Sequence, residues 1–153
     1  MKKYLFLILI FGIIIVSGCT LSDNTASAVA EKQEAIIYKS DSCGCCGFYK
    51  TYLGKYDFNI KVINSDNMIP IKEKYGIPYD MQSCHTTIIG DYFIEGHMPI
   101  EAVEKLLNEK PDIKGIALPG MPSGSPGMTG GKFEKFKIYS ISKDGSKNIF
   151  MEI

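Results

Sequence analysis

Three cysteines fall within four residues of this chain, Cys43, Cys45 and Cys46, and a fourth, Cys84, follows much later. Such a dense group is poor packing material, but its sulfurs suit two kinds of chemistry. Thiolates bind soft metals such as Cu(I), Zn(II) and the iron of Fe–S centres, and they are also the nucleophiles of disulfide exchange. Cys43 and Cys46 have the C-x-x-C spacing, which closes readily, whereas a bridge between neighbouring Cys45 and Cys46 would be strained. The cluster therefore predicts a metal site or a redox site.

The amino terminus has the pattern of a secretory signal. A short basic start is followed by the apolar run 4–16 and then by Ser17-Gly18-Cys19. The run is shorter than the roughly 20 residues that a comfortable transmembrane helix needs. Residues 16–19 also resemble the lipobox of prokaryotic lipoproteins, which implies cleavage before Cys19 and lipidation of its sulfur. An uncleaved anchor and ordinary signal cleavage nearby are the alternatives.

Three segments are expected along the chain: a lipoprotein-type signal peptide 1–18, a flexible polar tether 19–34 and one domain 35–153. This division predicts an extracytoplasmic protein of the cell envelope, held at the membrane by its lipid anchor. The chain has 17 basic and 17 acidic residues, so loss of Lys2 and Lys3 leaves a net charge of about −2. No basic stripe remains, which argues against nucleic acid as a partner.

The compartment also bears on the cysteines. With Cys19 lipidated, four of the five cysteines remain, and an even number outside the cytoplasm is by default interpreted as structural disulfides. The strain expected between Cys45 and Cys46 argues against two purely structural bridges.

Hydrophobic periodicity predicts an α/β domain in the order β-α-β-α-β-β-α, followed by a terminal β-hairpin. This is the order of the thioredoxin fold, with helices flanking the sheet and a parallel first pair of strands. Asp41 or Ser42 is the expected cap of the first helix, whose apolar face carries Phe48, Tyr52 and Leu53. The predicted strands are 35–40, 58–63, 86–89, 92–95, 136–141 and 148–153, and the predicted helices are 45–56, 67–75 and 99–109.

In this layout the C-x-x-C segment joins the first strand to the first helix. The free N–H groups and the positive dipole end of a helix N-terminus stabilise thiolate there. Cys84 comes just before the third strand, in the region where thioredoxins carry a cis-proline. We therefore expect Cys84 to approach the cluster, so that four sulfurs converge.

Two histidines and two methionines are further candidate ligands. His85 follows Cys84, and if the strand has begun there its ring points to the opposite face; a supporting polar role is the alternative to ligation. His97 lies in the turn before the last helix of the domain, where it could instead hydrogen-bond the turn. Met121 and Met128 lie in the Pro- and Gly-rich segment 118–128, and thioether is a neutral soft ligand that suits Cu(I). For both methionines the alternative is that the side chain only packs in the protein interior.

Four segments, in order, resemble the DUF411 family, whose best-known members are CopG-type copper-resistance proteins of bacterial envelopes. The segments are 38–47, 83–86, 95–99 and 118–128. The resemblance implies a thioredoxin-like fold and a thiolate-bridged Cu(I) cluster. The family's cysteine ligands fall on Cys43, Cys45, Cys46 and Cys84. The lipobox-like leader and Met98 depart from many members.

We therefore expect an extracytoplasmic copper-binding protein of copper homeostasis or resistance, with a polynuclear Cu(I) site and other envelope copper-handling proteins as partners. Whether it also cycles copper between Cu(I) and Cu(II), and so acts as an enzyme, is left open. A thiol–disulfide oxidoreductase using Cys43 and Cys46 is the alternative, but the extra Cys45 and the segment 118–128 would have no purpose in it. A closed zinc site needs four well-separated ligands, which adjacent cysteines supply badly.

Overall fold

The computed structural model describes residues 32–153. The predicted signal peptide, Cys19 and most of the tether lie outside the described residues. Within 32–153, no helix is both long and apolar enough to cross a membrane. The helices and strands, in chain order, are β1 Gln33–Lys39, α1 Gly44–Leu53, β2 Phe58–Asn64, α2 Ile69–Lys74, a 3₁₀ turn Tyr79–Met81, β3 His85–Ile89, β4 Tyr92–Glu95, α3 Ile100–Glu109, β5 Ile113–Ala117, β6 Lys137–Ser142 and β7 Lys147–Glu152.

The strands form one seven-stranded sheet in the order β2-β1-β3-β4-β5-β6-β7. Strands β1 and β2 are parallel and are joined through α1, whereas β3 is antiparallel to β1 and forms a hairpin with β4. Strands β5, β6 and β7 extend the sheet beyond β4, and β6 and β7 are the predicted terminal hairpin. The predicted α/β class is confirmed, and the finer assignment to a thioredoxin-like fold stays a prediction.

Each face of the sheet carries its own apolar core. On one face, α1 and α3 contribute Tyr49, Leu53 and Leu106 to the larger cluster, into which Ile89 also projects. On the other face, the smaller cluster contains Ile88. Neighbouring Ile88 and Ile89 enter different clusters because successive side chains of a strand point to opposite faces. The sheet therefore separates two interiors, and both of them extend to the carboxyl end of β1.

Strand β5 was missing from the sequence prediction. It is short and contains Gly115, a residue that normally weakens a strand. The structure explains the glycine: a Cβ at this position would collide with the carbonyl oxygen of Phe93 on the neighbouring strand. The sequence signal was weak because close approach of two backbones, rather than a side-chain pattern, determines this residue.

Helix α1 differs from its prediction at two points. Its N-cap is Cys43 rather than Asp41 or Ser42, and no side chain within residues 32–153 caps it. Its buried face carries Tyr49 and Leu53, whereas Phe48 is 67% exposed, so the prediction of Phe48 as an apolar-face residue was wrong. The earlier start of the helix places the cysteines in its first turn.

Candidate metal centre

All four cysteine sulfurs lie within 4.8 Å of one another, at the start of α1 and the approach to β3. Cys43 and Cys46 are joined by a disulfide, while Cys45 and Cys84 are free. The Sγ of Cys45 lies 3.6 Å from that of Cys43, and the Sγ of Cys84 lies 3.6 Å from that of Cys46. The expectation that Cys84 joins the cluster from a distant part of the chain is confirmed.

Helix α1 favours negative charge on these sulfurs. Cys43 is its N-cap, and the next residues, Gly44 to Cys46, form its first turn. The N–H groups of a first turn have no partner inside the helix, and here no described side chain accepts from them as a cap. Their partial positive charge therefore stabilises thiolate, or a metal–thiolate cluster, at this end.

Two buried imidazoles meet the sulfur of Cys84. Its Sγ lies 3.2 Å from Nδ1 of His85 and 3.1 Å from Nε2 of His97. These three residues form a second group with metal-ligand geometry, which shares Cys84 with the group of four sulfurs. The condition under which His85 would point away from Cys84 is not met: β3 begins at His85, so Cys84 precedes the strand and the alternation does not apply to it.

A backbone carbonyl orients His97. Its Nδ1 lies 2.6 Å from the carbonyl oxygen of Pro126. A carbonyl only accepts hydrogen bonds, so Nδ1 carries the proton and donates, and Nε2 presents its lone pair to Cys84. Metal-binding histidines are commonly held in this way by a partner on the other ring nitrogen.

His85 is held differently. Its Nε2 is buried and has no hydrogen-bond partner among the described residues. Its ring packs on Tyr49, with centroids 4.5 Å apart, and Tyr49 is fixed by donating from its hydroxyl to the carbonyl of Met98. A buried ring nitrogen without a partner is costly, so this side of the site has unused polar capacity.

Burial keeps Cys84 and the two histidines uncharged in the metal-free protein. It raises the pKa of the Cys84 thiol to about 12, with the neighbouring Cys45 adding to the effect. Burial, followed by nearby His97 and Lys72, lowers the pKa of His85 to about 3, and burial also lowers the pKa of His97. At neutral pH the group is therefore a thiol between two neutral imidazoles, and a soft cation that displaces the thiol proton would find the lone pair of His97 Nε2 beside a new thiolate.

The methionine loop, residues 118–128, runs past this site. Gly127 has a φ of +80° and packs so closely on α1 that a Cβ would lie 2.7 Å from the amide nitrogen of Tyr49. Its neighbour Pro126 supplies the carbonyl that holds His97. Met128 is half-buried, whereas Met121 is 42% exposed with a φ of +47°. The loop thus contacts the site through its backbone, and ligation by Met121 or Met128 stays a prediction.

The spacing of the sulfurs fits bridging metal ions. A metal–sulfur bond of about 2.3 Å, the value for zinc, lets one ion join two sulfurs up to about 4.6 Å apart. The 3.6 Å separations lie inside that reach, and the 4.8 Å limit of the group lies close to it. The described domain is therefore an α/β protein with a cluster of cysteines and histidines at the start of its first helix that could hold metal ions.

Comparison with known proteins agrees with this description. A family model described as a protein of unknown function, DUF411, matches residues 81–128. Two solved structures of a copper resistance protein, copG form 1 and form 2, are each 33% identical to this chain and cover 80% of it. The chain spans 98% and 99% of those structures, with TM-scores of 0.74 and 0.75. No curated protein matches the chain significantly. The chain therefore belongs to the DUF411 family, together with these CopG proteins.

Sequence reasoning missed one group of residues next to the centre. Lys72 on α2 and Glu95 on β4 form a buried ion pair on the face of the sheet opposite the histidines. They are 23 positions apart on different elements. No motif or spacing joins them, and only the fold brings them together.

Proposed function

We propose that this protein is an extracytoplasmic copper-binding protein of copper homeostasis or resistance, and that it holds Cu(I) as a thiolate-bridged polynuclear cluster. The observation that carries the proposal is the convergence of four cysteine sulfurs and two histidine rings, with the unprotonated Nε2 of His97 facing Cys84. Its family membership supports the choice of copper, since the similar solved proteins are copper resistance proteins. The ligands proposed are Cys43, Cys45, Cys46 and Cys84 with His85 and His97, and with Met121 and Met128 as additional donors.

The arrangement favours several Cu(I) ions over one Zn(II). Cys84 belongs to both groups of potential ligands, so its sulfur can bridge an ion held among the cysteines and another held by the histidines. Cys45 and Cys46 are neighbours in the chain and cannot both take separate corners of a regular tetrahedron without strain. Thiolate, imidazole and thioether are all ligands that Cu(I) accepts.

Loading of all four cysteines with copper requires the disulfide to open. Reduction of the Cys43–Cys46 disulfide takes up two electrons and two protons from a dithiol reductant and yields two thiols. Each thiol then loses its proton as its sulfur binds Cu(I). The number of available copper ligands is therefore coupled to the redox state of these two cysteines.

A thiol–disulfide oxidoreductase is the second candidate, and one observation favours it. The Cys43–Cys46 disulfide lies at the N-terminus of α1, with Cys43 half-buried and Cys46 fully buried. This placement resembles that of a reactive C-x-x-C pair, in which the helix lowers the pKa of the accessible thiol. The two histidines next to Cys84 have no part in such a reaction.

Competition for metal separates these functions. The protein, reduced with a dithiol and freed of the reductant under anaerobic conditions, should take up Cu(I) in preference to Zn(II). The same protein with its disulfide intact is the matched control and should retain fewer copper ions. Preference for Zn(II), or equal copper uptake by both forms, would contradict the proposal. Efficient turnover of a disulfide substrate by copper-free protein would favour the oxidoreductase.

The lipid anchor on Cys19 is also a proposal, supported by the lipobox-like residues 16–19. Expression with a labelled fatty acid should label the wild-type protein in the membrane fraction, because the acyl chains anchor it. Cys19→Ala should abolish the label and release the protein from the membrane. An unlabelled wild-type protein would contradict the anchor without affecting the copper site.

A further inference from the structure

The face of the sheet opposite the histidines contains a buried network of polar side chains. Lys72 is 5% exposed and Glu95 is fully buried, and the Lys72 ammonium contacts Oε1 of Glu95. The other carboxylate oxygen of Glu95 accepts a hydrogen bond of 2.6 Å from the Thr86 hydroxyl. Both oxygens of the carboxylate are therefore occupied.

The same two residues hold the peptide groups on both sides of Ser83. The Ser83 amide donates to Oε1 of Glu95 at 2.6 Å, and the Lys72 ammonium donates to the Ser83 carbonyl at 2.9 Å. That carbonyl belongs to the peptide bond that leads into Cys84. The ion pair therefore determines the position of the backbone from which Cys84 projects.

This segment depends on side chains for its position. Ser83 and Cys84 lie between the 3₁₀ turn and β3, outside regular secondary structure. The sheet begins at His85, whose carbonyl accepts from the amide of Gly96. Ser83 and Cys84 precede the strand and make no strand-to-strand hydrogen bonds. Lys72 and Glu95 bind the Ser83 backbone in their place, on the side of the chain that faces away from the copper centre.

Thermodynamic stability alone is a weak reason for such a pair. Burial of two opposite charges removes them from water, and the free energy of this desolvation is about as large as the attraction between them. Proteins in which apolar residues replace such a pair are often as stable as the original. A pair retained inside the protein is better explained by what it positions. Here the positioned group is Cys84, which, alone among the cysteines of residues 32–153, contacts both histidines and lies beside the disulfide.

We propose that Lys72 and Glu95 are positioning residues, which act through Ser83 to hold the Cys84 sulfur where it can bridge the cysteines and the histidines. The inference rests on the proposed copper function. It extends the centre through the sheet to two residues that touch no ligand atom. Partners bonded directly to a metal ligand commonly change metal affinity by about 10- to 100-fold when removed, and we expect an effect at the lower end of this range for residues that act through the backbone.

Two variants test the pair, and two further variants are controls. Lys72→Met with Glu95→Met removes both contacts to Ser83, while Lys72→Met with Glu95→Gln keeps a neutral acceptor for the Ser83 amide. Lys105→Met with Glu109→Met makes the same change in an exposed pair on α3 and is the matched control. Leu106→Ala, in the core, lowers stability without touching the Ser83 segment. All are compared at a temperature at which circular dichroism shows them folded.

Two measurements are made on each variant. The first is Cu(I) affinity of the reduced protein against a chelator. We expect the double methionine variant to bind about tenfold or more weakly, the Met/Gln variant to recover part of the affinity, and the two controls to match wild type. The second is the ratio of alkylation rates at Cys84 and Cys45 in metal-free protein with the disulfide intact, in which these are the free thiols of residues 32–153. Loss of positioning should raise this ratio, whereas general loosening should raise both rates together.

The outcomes distinguish the inference from the proposed function. Wild-type affinity and an unchanged ratio in the double methionine variant would overturn the inference. Equal copper loss in this variant and in Leu106→Ala would also overturn it, because the pair would then act only through stability. If wild type binds no Cu(I) but the alkylation ratio still rises, the copper function fails and the positioning of Cys84 stands.

Discussion

The two faces of the sheet carry buried polar groups that differ in how they are satisfied. On the face of α2, each oxygen of Glu95 has a partner, and Lys72 contacts both Glu95 and the Ser83 carbonyl. On the face of α1, Nε2 of His85 has no partner among the described residues. There the sulfur of Cys84 contacts Nδ1 of His85, Nε2 of His97 and the sulfur of Cys46.

The difference indicates two roles for buried polarity. In a closed network such as that of Lys72 and Glu95, the ammonium and both carboxylate oxygens have partners, so the network serves to hold the backbone. An open group such as that of Cys84 and the histidines keeps lone pairs available at the cost of leaving them without hydrogen bonds. The potential metal ligands therefore lie on the α1 face of the sheet, and Lys72 and Glu95 on the α2 face hold the backbone next to Cys84.

Removal of the shared sulfur should have the largest effect. Cys84→Ser takes a ligand from both groups at once, so copper loading should fall by more than the share of one cysteine in four. Metal analysis of anaerobically loaded protein measures this loss. Ser83→Ala changes the adjacent side chain but keeps every sulfur, and it should load normally. Full copper loading of the Cys84 variant would place this residue outside the site.

Loss of one partner from the closed network should strongly destabilise the fold. Lys72→Met leaves the Glu95 carboxylate buried without its counterion, which typically costs about 3–5 kcal/mol. Denaturant unfolding of the metal-free protein measures this change. Lys105→Met, in the exposed pair with Glu109, should cost under about 1 kcal/mol. Equal free energies of unfolding for the two variants would show that the buried network is not closed.

The open group should make the metal-free protein sensitive to acid. The pKa of His85 is about 3 in the folded protein against about 6.5 when unfolded, so the unfolded state binds more protons between these values. Stability contributed by neutral His85 is therefore complete above pH 6.5 and is lost as pH falls, by at most about 1.4 kcal/mol per pH unit. His85→Phe should flatten this slope between pH 6.5 and 5, measured by denaturant unfolding. An unchanged slope would mean that His85 is not held neutral.

The methionine loop should give the smallest effect. Met121→Leu with Met128→Leu preserves size and polarity, so the fold should survive while Cu(I) affinity falls less than in Cys84→Ser. Thioether has no proton to lose, and the lost affinity should therefore be the same at pH 6 and pH 8. Met68→Leu with Met151→Leu is the matched control and should bind copper as wild type does. Unchanged copper retention and spectra in the loop variant would mean that the loop only packs over the site.

Local sequence patterns predicted the elements that position the cysteines. The alternating run 58–63 and the C-x-x-C segment before an amphipathic stretch placed β2 and α1 correctly to within a few residues. Convergence of Cys84 followed from the order of elements, since the residue before β3 lies beside the end of β1. Strand β5 was missed because Gly115 reflects contact with Phe93, which leaves no periodic signal.

The surroundings of the sulfurs were harder to predict than the sulfurs themselves. The orientation of His85 depends on where β3 begins, and a one-residue change in that boundary reverses the expected face. The contact of Lys72 with Glu95 joins elements 23 positions apart, and neither side chain differs in sequence from an ordinary surface charge. Cysteine spacing is a local signal, whereas the groups that tune these cysteines are brought together only by tertiary packing.

The most direct test of the account is the number of copper ions that the four cysteines hold. Reduced protein is titrated with Cu(I) under anaerobic conditions against a competing chelator, and bound copper is measured per chain. Four sulfurs within 4.8 Å, with Cys84 shared between two ligand groups, predict saturation above one equivalent. Saturation at one equivalent, or displacement of Cu(I) by Zn(II), would contradict a thiolate-bridged copper cluster.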